Sequence, residues 1–184
     1  MGRTYDALDD QLTGFLQAQH VFFVATAPAD GGHVNVSPKG LDTFAVLDAR
    51  TVAYLDLTGS GIETIAHIRQ NGRITLLFCA FDGPPRIVRL YGIGRVIPID
   101  APDFAERAAR FPSYTNARAI IEIGLDRIAD SCGYGVPRYR YEGERSQLLD
   151  WAERKGPEGL AAYRAERNAA SIDALPGLRP PASR

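Results

Sequence analysis

The chain predicts a mainly β, α+β fold: an antiparallel barrel of about six strands with helices on its outside. Three observations predict it. Short apolar or alternating runs succeed one another from Val21 to Ile128, Gly/Asp/Pro turns join most of them as hairpins, and early in the chain only one helical pattern interrupts them, after Thr58. A doubly wound sheet would need strands and helices in regular alternation, which is absent.

The elements follow in order. Asp6 to Gln19 puts Leu8, Leu12, Phe15 and Leu16 on one helical face, an amphipathic N-terminal helix that packs on something larger. VFFVATA (Val21 to Ala27), PADGG and HVNVS (His33 to Ser37) predict a hairpin, because Asp-Gly-Gly supplies the positive φ such turns need. In its second arm Val34 and Val36 point one way and His33, Asn35 and Ser37 the other, with Lys39 just beyond the strand end. FAVL, DAR and VAYLDL predict a second hairpin, and RITLLFCAF is apolar enough to be covered on both faces. The length and glycines of RIVRLYGIGRVI suit a bent barrel strand. Asp100 and Pro102 open a short helix over DFAERAAR, and Ala117 to Ile128 is the last long strand. SCGYGVP then breaks regular structure. Two helical segments follow, around LLDWAERK and GLAAYRAERNAA, before a loose end, LPGLRPPASR. The boundaries are 1–145 for the barrel domain with its N-terminal helix and 146–184 for a helical appendage and tail.

Composition narrows the functions. The 184 residues are 45% hydrophobic and 23% charged, enough for one full core. Lys plus Arg is 21 against 22 for Asp plus Glu, so no global field favours nucleic acid or an anionic membrane. Cys79 and Cys132 are too few for a disulfide scaffold and suit a reducing cytoplasm. With no membrane-length apolar run and no signal-like apolar core in MGRTYDALDD, a soluble cytoplasmic protein is expected.

Several chemistries are set aside by spacing. His20, His33 and His67 form no HExxH pair, so no metal site is expected and surface or capping roles are assigned to them. Thr58-Gly59-Ser60-Gly61 is not a nucleophile elbow, and GSGIET lacks both a third fingerprint glycine and a P-loop lysine. RYRY, Arg138 to Tyr141, reads as one polar and one packed strand face rather than a nucleic-acid site.

Two stretches retain chemistry. Ser60 with Glu63 forms the S-x-x-E pattern of a capping box. A helix beginning at Gly61 also aims free amides outward beside the Ser60 and Thr64 hydroxyls, a seat for a phosphate monoester that the Glu63 carboxylate opposes. NVSPKG places Asn35, Ser37 and Lys39 at a strand end, where Lys39 is either a solvated loop charge or the completion of that anion site. Arg89 lies among Ile87, Val88, Leu90 and Tyr91; it is an edge residue or, if buried, needs a carboxylate or ligand.

HVNVSPKG, then YLDLTGSGIETIAHIRQNGRITLLFCAF, then PPRIVRLYGIGRV together resemble the pyridoxamine 5'-phosphate oxidase-like group of FMN-binding split barrels, over roughly Phe15 to Arg140. The resemblance implies a six-stranded split barrel that forms a homodimer, with FMN in the cleft between subunits. Its phosphate would sit against Ser37 and Lys39 and against Ser60, Glu63 and Thr64. Asp56, Leu57 and Thr58 would run beside the flavin ring, Arg89 would reach the cofactor or the partner subunit, and Tyr134 would approach the ring. The implied activity is FMN-dependent oxidoreduction of an unnamed small-molecule substrate, with a nicotinamide as one candidate electron donor and no identifiable catalytic acid or base. Two departures stand out. Glu63-Thr64 replaces a basic pair of the oxidase, and the oxidase's C-terminal substrate pattern is absent, so pyridoxamine phosphate is not the implied substrate. Deazaflavin or heme in the same cleft, or a cofactor-free dimeric binding module, are the alternatives.

Overall fold

The computed structural model describes residues 2–178. In chain order the elements are β1 (Thr4–Tyr5), α1 (Asp10–Gln17), β2 (Phe22–Thr26), β3 (Asn35–Lys39), β4 (Phe44–Asp48), β5 (Thr51–Leu57), α2 (Glu63–Asn71), β6 (Arg73–Cys79), β7 (Ile87–Pro98), α3 (Phe104–Ala108), β8 (Ala117–Ser131) and α4 (Gln147–Arg167). All pairings are antiparallel, in the order β3-β2-β6-β7-β8-β5-β4, with β1 added to β8. Eight strands thus replace the six expected. The seven long ones coincide with the apolar runs, while β1 has two residues, too few to leave a period in the sequence.

The sheet is not closed, and β3 and β4 are its edges. It curls until rings from both ends meet: Phe22 lies 5.6 Å from Phe44, and Phe44 lies 4.9 Å from Phe78 on β6. That is the split barrel. The long β7 and β8 make the bend, with a register shift after Tyr91. There a Cβ on Gly92 would lie 2.2 Å from the Gly124 carbonyl, so no other residue fits.

Alternation gives each sheet face its own core. One holds Leu12 and Leu16 of α1, Ile62 and Ile65 at α2, and Leu76 and Phe78 of β6. The other packs Leu55, Ile97 and Ile120 against Phe111 and Phe104 beside α3. Helix α1 starts four residues later than its apolar pattern, because Asp9 accepts a hydrogen bond from the Leu12 amide at 2.7 Å and caps it. Helix α2 ends at Gly72, whose φ of 70° stops it.

The two C-terminal helical segments expected are present within α4, separated by Gly156 (φ 65°, ψ 176°), with Pro157 opening the second. The loose end needs correction. Leu175 to Leu178 folds back: Gly177 donates to the Ala169 carbonyl, Leu178 donates to the Asn168 carbonyl, and Arg69 of α2 donates to the carbonyls of Gly177 and Leu178. The rest of LPGLRPPASR, 179–184, lies outside the described residues. RYRY is not a strand either; it is an exposed irregular segment in which Tyr139 stacks on Phe81. Among the described residues no helix is long and apolar enough to cross a membrane.

Phe78 is fully buried and touches rings from both ends of the curl. Phe78→Ala is expected to destabilise the fold by about 3–5 kcal/mol in urea unfolding; a loss under about 1 kcal/mol would show that this cluster does not hold the barrel together.

Candidate functional site

The site grows from one buried carboxylate. Asp56, near the end of β5, is 1% exposed. Its Oδ1 accepts from Lys39 Nζ at 2.7 Å and its Oδ2 from Arg118 Nε at 2.7 Å. Lys39 is the last residue of β3, so the ion pair ties one sheet edge to the inner strand β5. Lys39 is therefore no solvated loop charge. Arg118 arrives by a bulge: Asp56 pairs with Ala119 and Leu57 with Ala117, which leaves Arg118 without a cross-strand partner and turns it toward the carboxylate. Burial pushes the Asp56 pKa up, but the charges and hydrogen bonds of Arg118 and Lys39 outweigh it and hold the group at about 2. Two cations against one anion leave the cluster net positive.

Beside it, Asn35 Nδ2 donates to Thr64 Oγ1 at 3.0 Å and Ser37 Oγ donates to Asn35 Oδ1 at 3.2 Å. This brings β3 to the first turn of α2. Ser37, Lys39, Leu57 and Thr58 line one cavity of about 330 Å³, together with Gly59, Gly61 and Arg118. Four residues named from the sequence thus share one cavity, with Asp56 beneath Lys39.

The mouth of α2 differs from expectation. The helix starts at Glu63 rather than Gly61, its N-cap is Ile62, and no side chain caps it, so the Ser60–Glu63 capping box does not form. Both partners are engaged or placed elsewhere. Ser60 is exposed while its carbonyl and that of Gly59 accept from Asn168 Nδ2, at 3.3 and 2.9 Å. Glu63 Oε1 accepts from the Ile172 amide at 3.3 Å. The segment Asn168–Leu178 therefore packs against this corner, and part of the anticipated phosphate seat is filled by the protein itself.

Arg89 is not brought to this cluster within the chain. Its strand neighbours Val88 and Leu90 point into the core, so it faces the other way, and it donates to Ser131 Oγ at 3.1 Å rather than to a carboxylate. Tyr134 is 83% exposed and does not line the cavity. His67 corrects its surface assignment: it is fully buried, with Nδ1 2.9 Å from Thr26 Oγ1. Burial lowers its pKa against the raising effect of Asp173 and Glu63, which keeps it neutral at pH 7. His33 contacts Asp173 at 2.7 Å and His20 stacks on Tyr141 at 3.6 Å. Cys79 and Cys132 are free thiols.

Three residues of the site carried no sequence signal. Arg118 Nη1 donates to the Gly59 carbonyl at 3.2 Å and to Asn168 Oδ1 at 3.0 Å. From the end of α4, Arg164 donates to Thr58 Oγ1 at 2.8 Å and to the Ala117 carbonyl at 3.0 Å. Together with Asn168 they clamp the loop after β5.

A curled antiparallel sheet with a cavity at the ends of β3 and β5 defines a split-barrel protein. The model of the pyridoxamine 5'-phosphate oxidase family matches residues 8–132, and the chain belongs to that family. It is 42% identical, over 191 aligned positions, to the pyridoxamine 5'-phosphate oxidase family protein ustO of Aspergillus flavus, an alignment covering 95% of this chain and 77% of that one. Among solved structures, a candidate pyridoxamine 5'-phosphate oxidase of Lactobacillus delbrueckii superposes with a TM-score of 0.53 at 22% identity, over 67% of this chain and 94% of that one. HupZ of Group A Streptococcus superposes with a TM-score of 0.51 at 22% identity, over 66% and 91%. These two likenesses establish the fold.

Replacing Asp56 by Asn leaves two cations around a neutral amide and is expected to cost about 3–5 kcal/mol at pH 7. Since the folded pKa of about 2 lies below the ordinary carboxylate value, the stability from ionised Asp56 is complete above about pH 4 and is lost as pH falls through about 2. Acid titration of stability should contain that component in the wild type and lack it in Asp56→Asn; superimposable acid limbs would refute the assignment.

Proposed function

We propose that the protein is an FMN-dependent oxidoreductase that works as a homodimer, with the cofactor in the cavity at the ends of β3 and β5. The observation that carries this reading is the convergence of Ser37 and Lys39 of β3 with Leu57 of β5 and Thr58 just after it on one cavity. A cavity of about 330 Å³ is at the low end for ligand pockets, about 300–1,000 Å³. One chain then supplies one wall, and a second copy closes it. Edge strand β3 offers a surface for that copy, since Val36 and, just before the strand, Val34 are 61% and 72% exposed.

The donor set suits a nucleotide anion. Lys39 is held in place by Asp56, and the cluster keeps a net positive charge through Arg118. The Ser37 hydroxyl and the glycine backbone at 59 and 61 flank it. Ser60 and Thr64 contribute less, one exposed and the other spent on Asn35. Bound flavin would supply two-electron chemistry, accepting hydride from a nicotinamide or an organic substrate and passing it to a second acceptor. Asp56 serves as a fixed counter-ion rather than a general base, because both its oxygens are engaged and its pKa is about 2.

A second reading, a cofactor-free dimeric binding module, is favoured by the packing of Asn168–Leu178 on the mouth of α2 and by the prior pairing of Lys39. An absorption spectrum separates the two. The flavin reading expects a yellow protein whose denatured supernatant fluoresces as FMN, and a colourless protein unchanged by added FMN would leave the module. Retention of a deazaflavin in preference to FMN, or a Soret band, would name a different cofactor. Lys39→Ala is expected to raise the Kd for FMN by roughly tenfold or more; unchanged affinity removes Lys39 from the site.

A further inference from the structure

A larger cavity, of about 670 Å³, lies on the other side of Arg118, between the end of α4, the C-terminal segment and the rim where β7 meets β8. Arg118 borders both cavities, and Arg164 stands beside it in this one. The charges there do not balance. Arg118 gives Nε to Asp56 and both hydrogens of Nη1 to Gly59 and Asn168, but among the described residues its Nη2 has no protein acceptor. Arg164 spends Nε on a hydroxyl and Nη2 on a backbone carbonyl, and among the described residues its Nη1 has no acceptor and the guanidinium has no carboxylate partner. Burial, then the neighbouring Arg118, depress its pKa, and no acid opposes them. Asp100 on the rim is exposed, and its charge acts on Arg69 instead.

Two adjacent guanidiniums, one 5% exposed, each with one free NH2 group and with Asp56 as counter-ion to Arg118 but not to Arg164, are stabilised by an anion set between them. The walls say which kind. They are apolar: Ile99, Ala165, Pro176 and Leu178, with no hydroxyl side chain among the described lining residues. A phosphate has more oxygens than these two NH2 groups satisfy, whereas a carboxylate has two and brings a carbon skeleton for the walls.

We propose that this cavity binds a small organic carboxylate, its two oxygens held between Arg118 and Arg164 and its hydrocarbon part lying along Ile99, Pro176 and Leu178. The site is independent of the flavin reading. Its lining has only Arg118 in common with that of the Lys39 cavity.

The test uses the full chain and sodium benzoate, titrated at fixed ionic strength by calorimetry and by thermal shift, with inorganic phosphate as a second arm. Saturable benzoate binding that raises Tm is expected, with phosphate roughly tenfold weaker or more. Arg164→Gln should weaken benzoate binding about tenfold or more. Ala165→Phe places a ring in the cavity from the exposed face of α4 while keeping both arginines in the chain, and should abolish binding; it carries the test if the arginine variant does not fold. The proposal is overturned by no saturable benzoate binding, by undiminished binding in Ala165→Phe, by phosphate binding as tightly as benzoate, or by competition between benzoate and FMN for one site.

Discussion

The site depends on a carboxylate that water does not reach. An ionised Asp56 in that position is tolerable only because Lys39 and Arg118 each take one oxygen. Those two cations come from opposite parts of the sheet, an edge strand and a bulged inner strand, so the electrostatic requirement of one side chain fixes how far the barrel curls. The same contact decides what Lys39 offers a ligand: an ammonium at a set position, with its charge partly answered from below.

Around this cluster the chain assembles layers of decreasing exposure to chance. Asn35, Ser37 and Thr64 join β3 to α2 by hydrogen bonds, and Arg164 and Asn168 tie the loop after β5 to the end of α4. The C-terminal residues thus belong to the same polar network as the barrel. Their hold on Gly59 and Ser60 explains why α2 begins at Glu63 without a side-chain cap: the carbonyls and the Glu63 carboxylate are committed to the segment that follows α4.

Much of the fold was legible because burial in a sheet imposes a period of two, and the apolar runs from Val21 to Ile128 carry it. The seven long strands were readable for this reason, and the two-part C-terminal helix and the apolar face of α1 through helical patterning instead. Strand β1 was not, since two residues hold no period. Of the site, Ser37 and Lys39 were marked by their place at a strand end and Leu57 and Thr58 by family likeness, and the four share a cavity. The likeness assigned Arg89 to the cofactor or the partner subunit, and within this chain strand alternation turns it away from the cavity. Arg118 was missed because a bulge changes the direction of a side chain without changing composition, and Arg164 and Asn168 because their partners lie about a hundred residues away. The capping box misled for a related reason. Its local pattern is present, but tertiary partners compete for both ends of it.

Sequence separation also has a temporal side. Asn168 is joined to Gly59 across 109 residues, so during translation the loop after β5 leaves the ribosome on the order of 5–20 seconds before its partner does. Until Asn168 is made the Gly59 and Ser60 carbonyls lack its amide, and Arg118, once made, lacks its side-chain oxygen, so a nascent barrel can be assembled while its ligand-facing loop is still unfastened. Maturation of this protein is in that sense a two-stage event, in which the last-made helix locks what the strands up to Ser131 have shaped.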